Sequence, residues 1–204
     1  MAYGEYCSVA RSLDVVGDRW TLLVVRELLA RPARFTELRS GLPGIAPNLL
    51  SQRLKALQEH RVVERRLTPD AVVYALTEWG EGLREPLAAL ARWGAPLMRT
   101  GRGADSFRPH WLLVALDALL SGTTAPVPVR VRFEVEDERL ELVVDEHGPH
   151  AMMAGDEPAD VTITASGEVV LALVSRTWSL ERAEATGARI SGDRTALAAV
   201  LPSR

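Results

Sequence analysis

The chain of 204 residues has one cysteine, Cys7, so no internal disulfide can form. A reducing, cytoplasmic setting fits that usage. Lysine is almost absent: of 24 basic residues only Lys55 is lysine, which reads as a codon bias toward arginine and not as function. No apolar run approaches the roughly 18–20 residues of a membrane span. The start, MAYGEYCSVARSL, lacks the basic stretch and apolar core of a secretory signal. There is no Gly-rich phosphate loop, nucleophile elbow or zinc-peptidase motif, so neither catalysis nor a cofactor is expected. His147 and His150 have a spacing a metal could use, with Glu146 beside them. But EHGPH reads as a turn and no cysteine cluster joins it, so no metal site is expected.

What is present is the composition of a folded protein, 47% apolar and 25% charged, with length for one large or two small domains. The net charge of −3 is uneven. Residues 1–100 carry 14 basic and 11 acidic side chains, and residues 101–204 carry 10 and 16. Within 34–66 the basic Arg34, Arg39, Arg53, Lys55, Arg61, Arg65 and Arg66 face only Glu37, Glu59 and Glu64. A local positive patch in an acidic chain suggests an anionic partner for that patch. RTGRGADSFRP has no apolar period and reads as a linker, dividing the chain into 1–98, a linker over 99–108, and 109–204.

The first segment reads as helices and one hairpin. Apolar periodicity predicts helices over 8–16 and 18–30, the second capped by Asp18 and burying Leu22, Val25, Leu28 and Leu29. Thr36 is positioned to cap a short helix ending at Gly41. LPGIAP is a turn, and Pro47 suits the first turn of a helix reaching about His60. VVERR and VVYAL, joined by LTPDA, form a hairpin, and Thr77 caps a last helix over roughly 78–98. This is the order of a winged helix-turn-helix. In the helix from Pro47, Leu50, Leu54 and Leu57 share one side, and Asn48, Gln52, Lys55 and Glu59 lie opposite, flanked by Ser51 and Gln58. An amphipathic helix with a polar face is ordinarily just solvated. Here the hairpin, the basic cluster and the preceding short helix favour a recognition helix. Its amides can pair with adenine and its lysine with guanine in the major groove. Arg53, at the margin of the stripe, could reach a phosphate, and Arg65 and Arg66 stand where a wing would meet the DNA backbone.

These segments resemble the HxlR family of winged-helix transcription regulators. The likeness rests on Cys7, on Gly17-x-Arg19-Trp20, and on Arg34, Phe35, Glu37 and Leu38. It continues through Leu50, Ser51, Arg53, Leu54, Lys55 and Leu57, and through Tyr74, Leu76, Thr77 and Gly80. It covers about residues 6–98. Family members commonly have proline directly after the cysteine, where this chain has Ser8. The resemblance implies a homodimer, paired through the outer helices, on a partly palindromic operator. The residues expected at the DNA are Arg34, Thr36, Asn48, Ser51, Gln52, Arg53, Lys55, Arg65 and Arg66. Some relatives use the matching cysteine as a redox switch. That requires an accessible thiol of low pKa, for which Arg11, one turn on, is the available cation. A small buried thiol at a helix start is the alternative.

The second segment is mixed. WLLVALDALL is an amphipathic helix. VRVRFEV alternates strictly, and LELVV follows after a tight turn. HAMMAG and ADVTITAS supply further strands, GEVVLALVS and SLERAEATG are helices, ARISG is a short strand and DRTALAAVL a closing helix. The expected class is α+β: an N-terminal winged helix-turn-helix and a C-terminal antiparallel sheet packed with helices on one side. From Ala159 onward, with Gly192-Asp193 before the last helix, the segment resembles the sterol-carrier-protein fold. That likeness implies an apolar small molecule held by Trp111, Leu112, Leu116, Phe133, Met152, Met153, Leu171 and Trp178. These residues filling an ordinary core is the plainer reading. The expected whole is a DNA-binding regulator, not an enzyme and not membrane-bound, whose C-terminal domain senses a ligand or strengthens the dimer. The rival is a lipid-type carrier whose first domain only dimerises.

Overall fold

The computed structural model describes residues 2–201. The last three residues of the expected C-terminal domain, 202–204, lie outside the described residues. The chain divides into two compact units, one ending at Leu87 and the other beginning at Ala88, ahead of the stretch that composition marks as a linker.

The N-terminal unit runs α1 (Ser8–Val16), α2 (Thr21–Ala30), α3 (Phe35–Gly41), α4 (Pro47–Glu59), β1 (Val63–Leu67), β2 (Val72–Leu76), α5 (Glu78–Glu81) and the start of α6 (Arg84–Gly94). β1 and β2 pair antiparallel from Val63↔Leu76 to Leu67↔Val72, and Ala33 adds an antiparallel bridge to Tyr74. Val24, Val25, Leu28, Leu50, Leu54, Leu57, Val62 and Leu76 form the core. Each leucine so buried contributes about 1.5–3 kcal/mol relative to exposure.

Four sequence expectations shift here. The helix expected from residue 18 starts only at Thr21. Trp20 takes φ 80°, a left-handed conformation through which a right-handed helix cannot run. Asp18, expected to cap that helix, turns its carboxylate to Arg53 at 2.6 Å. Thr36 is not the cap of α3, because the helix starts before it at Phe35. Glu37 reaches back to accept the Arg34 backbone N–H at 2.6 Å, one half of a capping box. The single helix expected over 78–98 is α5, α6 and a 3-10 segment over Ala95–Thr100. Thr77 does cap α5, accepting the Gly80 N–H at 3.1 Å. The break follows from Pro86, which has no N–H for the Gly82 carbonyl and whose ring clashes with it.

Two glycines set close approaches. A Cβ on Gly80 would stand 2.1 Å from the Val62 carbonyl oxygen, so α5 lies directly against the entry to β1. One on Gly41 would stand 2.3 Å from the buried Glu27 carboxylate, which also takes the Arg26 guanidinium at 2.8 Å. Burial lowers the Arg26 pKa from its usual range, and Glu27 opposes that shift.

The C-terminal unit, after a 3-10 turn at Pro109–Trp111, holds α7 (Leu112–Leu119), β3 (Val129–Val135), β4 (Glu138–Asp145), β5 (Gly148–Met153), β6 (Val161–Thr164), α8 (Gly167–Val174), α9 (Leu180–Ala185), β7 (Arg189–Gly192) and α10 (Arg194–Val200). The strand order is β5-β4-β3-β6-β7. The expectation of a purely antiparallel sheet is corrected: β3 and β6 are parallel, Val131↔Val161 and Phe133↔Ile163. β5 runs the same way as β3, and the chain crosses back over residues 154–160 to enter β6 at Val161 opposite Val131, so β6 runs the same way as β3 as well. The alternation in β3 holds, with Val129, Val131, Phe133 and Val135 buried and Arg130, Arg132 and Glu134 on the other face. There Arg130 and Arg132 both pair with Glu141, whose side chain is 1% exposed. Gly192 has φ 100°, and a Cβ on it would meet the Asp160 carbonyl oxygen at 2.2 Å. Asp193 then caps α10 through the Thr195 and Ala196 N–H groups.

Candidate nucleic-acid interface

α4 is built with one wholly buried side. Leu50, Leu54 and Leu57 are at most 1% exposed, which fixes the roll of the helix and leaves Asn48, Ser51, Gln52, Lys55 and Glu59 in solvent. These side chains are not equally available. Asn48 Oδ1 accepts the Leu49 N–H at 2.9 Å, leaving its amide N–H groups to donate outward. Ser51 Oγ donates to the Pro47 carbonyl at 3.1 Å, so its hydroxyl proton is used within the helix. Gln52 is exposed, and its amide has no bond among the described residues. Lys55 stands 3.8 Å from Glu59, a loose i,i+4 pair with both side chains mostly in water.

Arg53 is placed differently from the outward reach expected of it. Its side chain is 19% exposed, ion-paired to Asp18 at 2.6 Å, with Nε donating to the Arg19 carbonyl at 3.2 Å. Arg34 and Thr36 are exposed at the start of α3. In the hairpin, neighbouring residues point to opposite faces, so Arg65, opposite Tyr74, and Arg66, opposite Val73, cannot meet one flat surface together. Arg66 is held by Glu64 at 2.7 Å and by the Leu76 carbonyl at 3.4 Å. Arg65 is exposed and carries no ion pair among the described residues. It is the cation the wing has to offer.

Sequence reasoning did not place Asp18, Arg19 and Trp20 beside α4. The Arg19 guanidinium lies 5.5 Å from the Trp20 ring centroid. The Trp20 ring in turn reaches Gly44, where a Cβ would lie 3.9 Å from it. The signal was present in the quoted Gly17-x-Arg19-Trp20, but its partners are more than twenty residues away. Arg39 and Arg61 are further exposed cations near the interface.

Cys7 is the N-cap residue of α1 and is exposed, not the buried thiol of the alternative reading. Arg11 lies 3.9 Å from Asp14.

The residues expected to hold an apolar molecule separate into groups. Leu112, Leu116 and Phe133 are at most 1% exposed and belong to the packed core. Trp111, Met152, Met153, Leu171 and Trp178 are half-buried, and Arg182 covers the Trp178 ring at 4.5 Å. Met153 pairs with Leu140 and shares the apolar face. Met152 pairs with Glu141 on the charged face, so the two methionines do not line one space. His147 is in the turn before β5 and His150 in β5. No group of three or more metal-binding side chains occurs among the described residues.

Residues 15–101 match the family described as HxlR-like helix-turn-helix. The uncharacterized HTH-type transcriptional regulator YvaP of Bacillus subtilis is 35% identical over 97 residues, covering 46% of this chain and 90% of that protein. The HTH-type transcriptional regulator YodB of the same organism is 31% identical over 93 residues, covering 44% of this chain and 83% of YodB. A solved structure of the reduced form of YodB from B. subtilis aligns at 31% identity and a TM-score of 0.42, covering 48% of this chain and 99% of that one.

Proposed function

Because this chain belongs, through its N-terminal half, to the HxlR-like helix-turn-helix family, we propose that it is a DNA-binding transcription regulator that reads the major groove with α4. The observation that carries this is the division of α4: three leucines wholly buried behind it, and Asn48, Gln52 and Lys55 presented in front. In this reading Gln52 and Lys55 contact base edges, and Arg34, Thr36 and Arg65 meet the backbone.

The protein acts as a homodimer on two inverted half-sites. Support comes from two uncovered apolar stripes at helical spacing. α1 and its approach expose Tyr6, Val9 and Leu13 by 105%, 64% and 44%, and α6 with the following turn exposes Leu90, Trp93 and Leu97 by 47%, 76% and 76%. Within the helices themselves the exposed pairs are Val9 and Leu13, four apart in α1, and Leu90 and Trp93, three apart in α6, the spacing of a helix-packing face. The C-terminal unit is the regulatory half, with a sterol-carrier-like fold whose apolar interior takes a small apolar effector against Met153, Leu171 and Trp178. The order of its elements and the seat of Gly192 and Asp193 support this reading.

The test is selection of duplexes from a randomised DNA pool by the full chain, followed by titration of the recovered sequence. The expected result is an inverted repeat with half-sites about one helical turn apart. Binding of all duplexes alike would refute sequence reading. Repeating the titration with a long-chain fatty acid tests the effector, and identical curves would remove it.

A further inference from the structure

We propose that Arg53 is a positioning residue for the recognition helix, a clamp between α4 and the elbow joining α1 to α2, and does not neutralise a DNA phosphate. The proposal rests on the DNA-binding reading for its consequence but not for its geometry.

The elbow is Gly17-Asp18-Arg19-Trp20, and each of its last three residues is tied to the helix-turn-helix or to its own neighbour. Asp18 binds Arg53 at 2.6 Å, and the Arg19 carbonyl accepts from Arg53 Nε at 3.2 Å. The Arg19 side chain covers the Trp20 ring, and the ring reaches the α3–α4 turn at Gly44. Trp20 holds φ 80°. A bulky L-residue in that region is strained, and such a conformation persists only when its surroundings fix it. The bidentate hold of Arg53, one arm on a carboxylate and one on a carbonyl, is such a fixture, and the planar guanidinium is suited to it where an ammonium is not.

The burial pattern of α4 explains why a clamp matters. The leucine stripe sets which side of the helix faces the core, but an apolar contact is non-directional and tolerates small rotations. Reading a base edge does not, because bidentate pairs require fixed donor positions. Arg53 sits at the margin between the buried stripe and the polar face, the position from which a directional bond best controls roll. The other end of the clamp is the C-terminal end of α1, so the angle of the recognition helix is tied to whatever α1 packs against. Asp18 also makes Arg53 unsuitable as a phosphate ligand: its charge is already met by a carboxylate.

The two roles give opposite signs when the carboxylate is removed. If Arg53 met a phosphate, Asp18→Asn would free the guanidinium and remove a repelling charge, so DNA binding would strengthen. For a clamp, Asp18→Asn weakens binding to the selected duplex by about tenfold, and the slope of affinity against salt is unchanged. Arg53→Lys keeps the charge but loses the bidentate hold, and weakens binding to a similar extent. An affinity gain in Asp18→Asn, or wild-type affinity in Arg53→Lys, overturns the proposal. Hydrogen–deuterium exchange of the full-length protein without DNA is a second readout that does not depend on the DNA-binding reading. In both variants the amides of the elbow and of α4 exchange faster, while those of β3 and β4 are unchanged. Equal exchange in wild type and variants overturns the clamp even if DNA binding is confirmed. Faster exchange in a protein that selects no duplex keeps the clamp and sinks the function.

Discussion

Replacing Arg65 by alanine tests the wing and the subunit count in one measurement. Arg65 is exposed and has no ion pair among the described residues, so its removal should cost the fold little while deleting one cation from the DNA surface. Each phosphate neutralised contributes about −0.9 to the slope of log affinity against log salt. A dimer with both wings on DNA loses two contacts, so the slope becomes shallower by about 1.8. Over a fourfold rise in salt, wild-type affinity should therefore fall about twelvefold more than that of the variant. Fluorescence anisotropy with the selected duplex at several potassium chloride concentrations measures this directly. A change near 0.9 would mean that only one wing touches DNA. An unchanged slope would refute the placement of Arg65 on the backbone. Arg66→Ala is the internal control: its guanidinium is already held by Glu64 and the Leu76 carbonyl, so it should change the slope less.

Gln52→Ala should relax base preference at one position of each half-site at a cost of about 1–3 kcal/mol on the preferred base; an even loss over all base variants in competition titrations would move Gln52 to the backbone. Trp93→Glu replaces an aromatic residue that is 76% exposed with a carboxylate, and should shift the full chain from dimer to monomer in sedimentation velocity with little change in its circular dichroism. Glu141→Ala leaves Arg130 and Arg132 without their shared carboxylate, and Arg132 Nε already lacks a partner among the described residues. The cost should be about 3 kcal/mol, the lower end of the range for breaking a buried ion pair because the Arg130 side chain is 30% exposed. Urea denaturation measures it, and a loss below about 1 kcal/mol would mean that water replaces the carboxylate.

The legible part of the structure was whatever depends on local periodicity. The α4 leucines and the strict alternation of β3 follow from side-chain spacing of 3.6 or 2 residues, the Thr77 cap from the hydroxyl that stands before the helix, and the hairpin from two β-rich runs joined by a turn. The HxlR-like assignment was legible for the same reason, because its motifs are compact. What escaped depends on partners distant in sequence. Arg53 read as an outward cation because nothing near it reveals Asp18, and Arg66 read as a wing contact because the Leu76 carbonyl that helps hold it lies on the paired strand. The mixed sheet was missed because no periodicity records which edge a returning strand joins. Met152 and Met153 look alike in sequence, and only the register with β4 separates them. The broken helix at Gly82 was within reach, since Pro86 announced it.

The parallel seam between β3 and β6 also fixes an order of manufacture for the C-terminal unit. The meander β3-β4-β5 closes through turns of a few residues and can form as soon as it leaves the ribosome. The seam joins strands roughly thirty residues apart, and β7 covers the outer edge of β6 only after α8 and α9 have been made. Contacts so separated pay loop-closure entropy before they return anything, so they form late. Until residues 189–192 arrive, a half-made sheet has an open edge at β3 and then at β6, the state most prone to pair with another nascent chain. Pulse-labelled hydrogen exchange during refolding should accordingly protect β4 first and β6 and β7 last, and a chain truncated before β7 should accumulate as aggregate while the N-terminal unit stays folded.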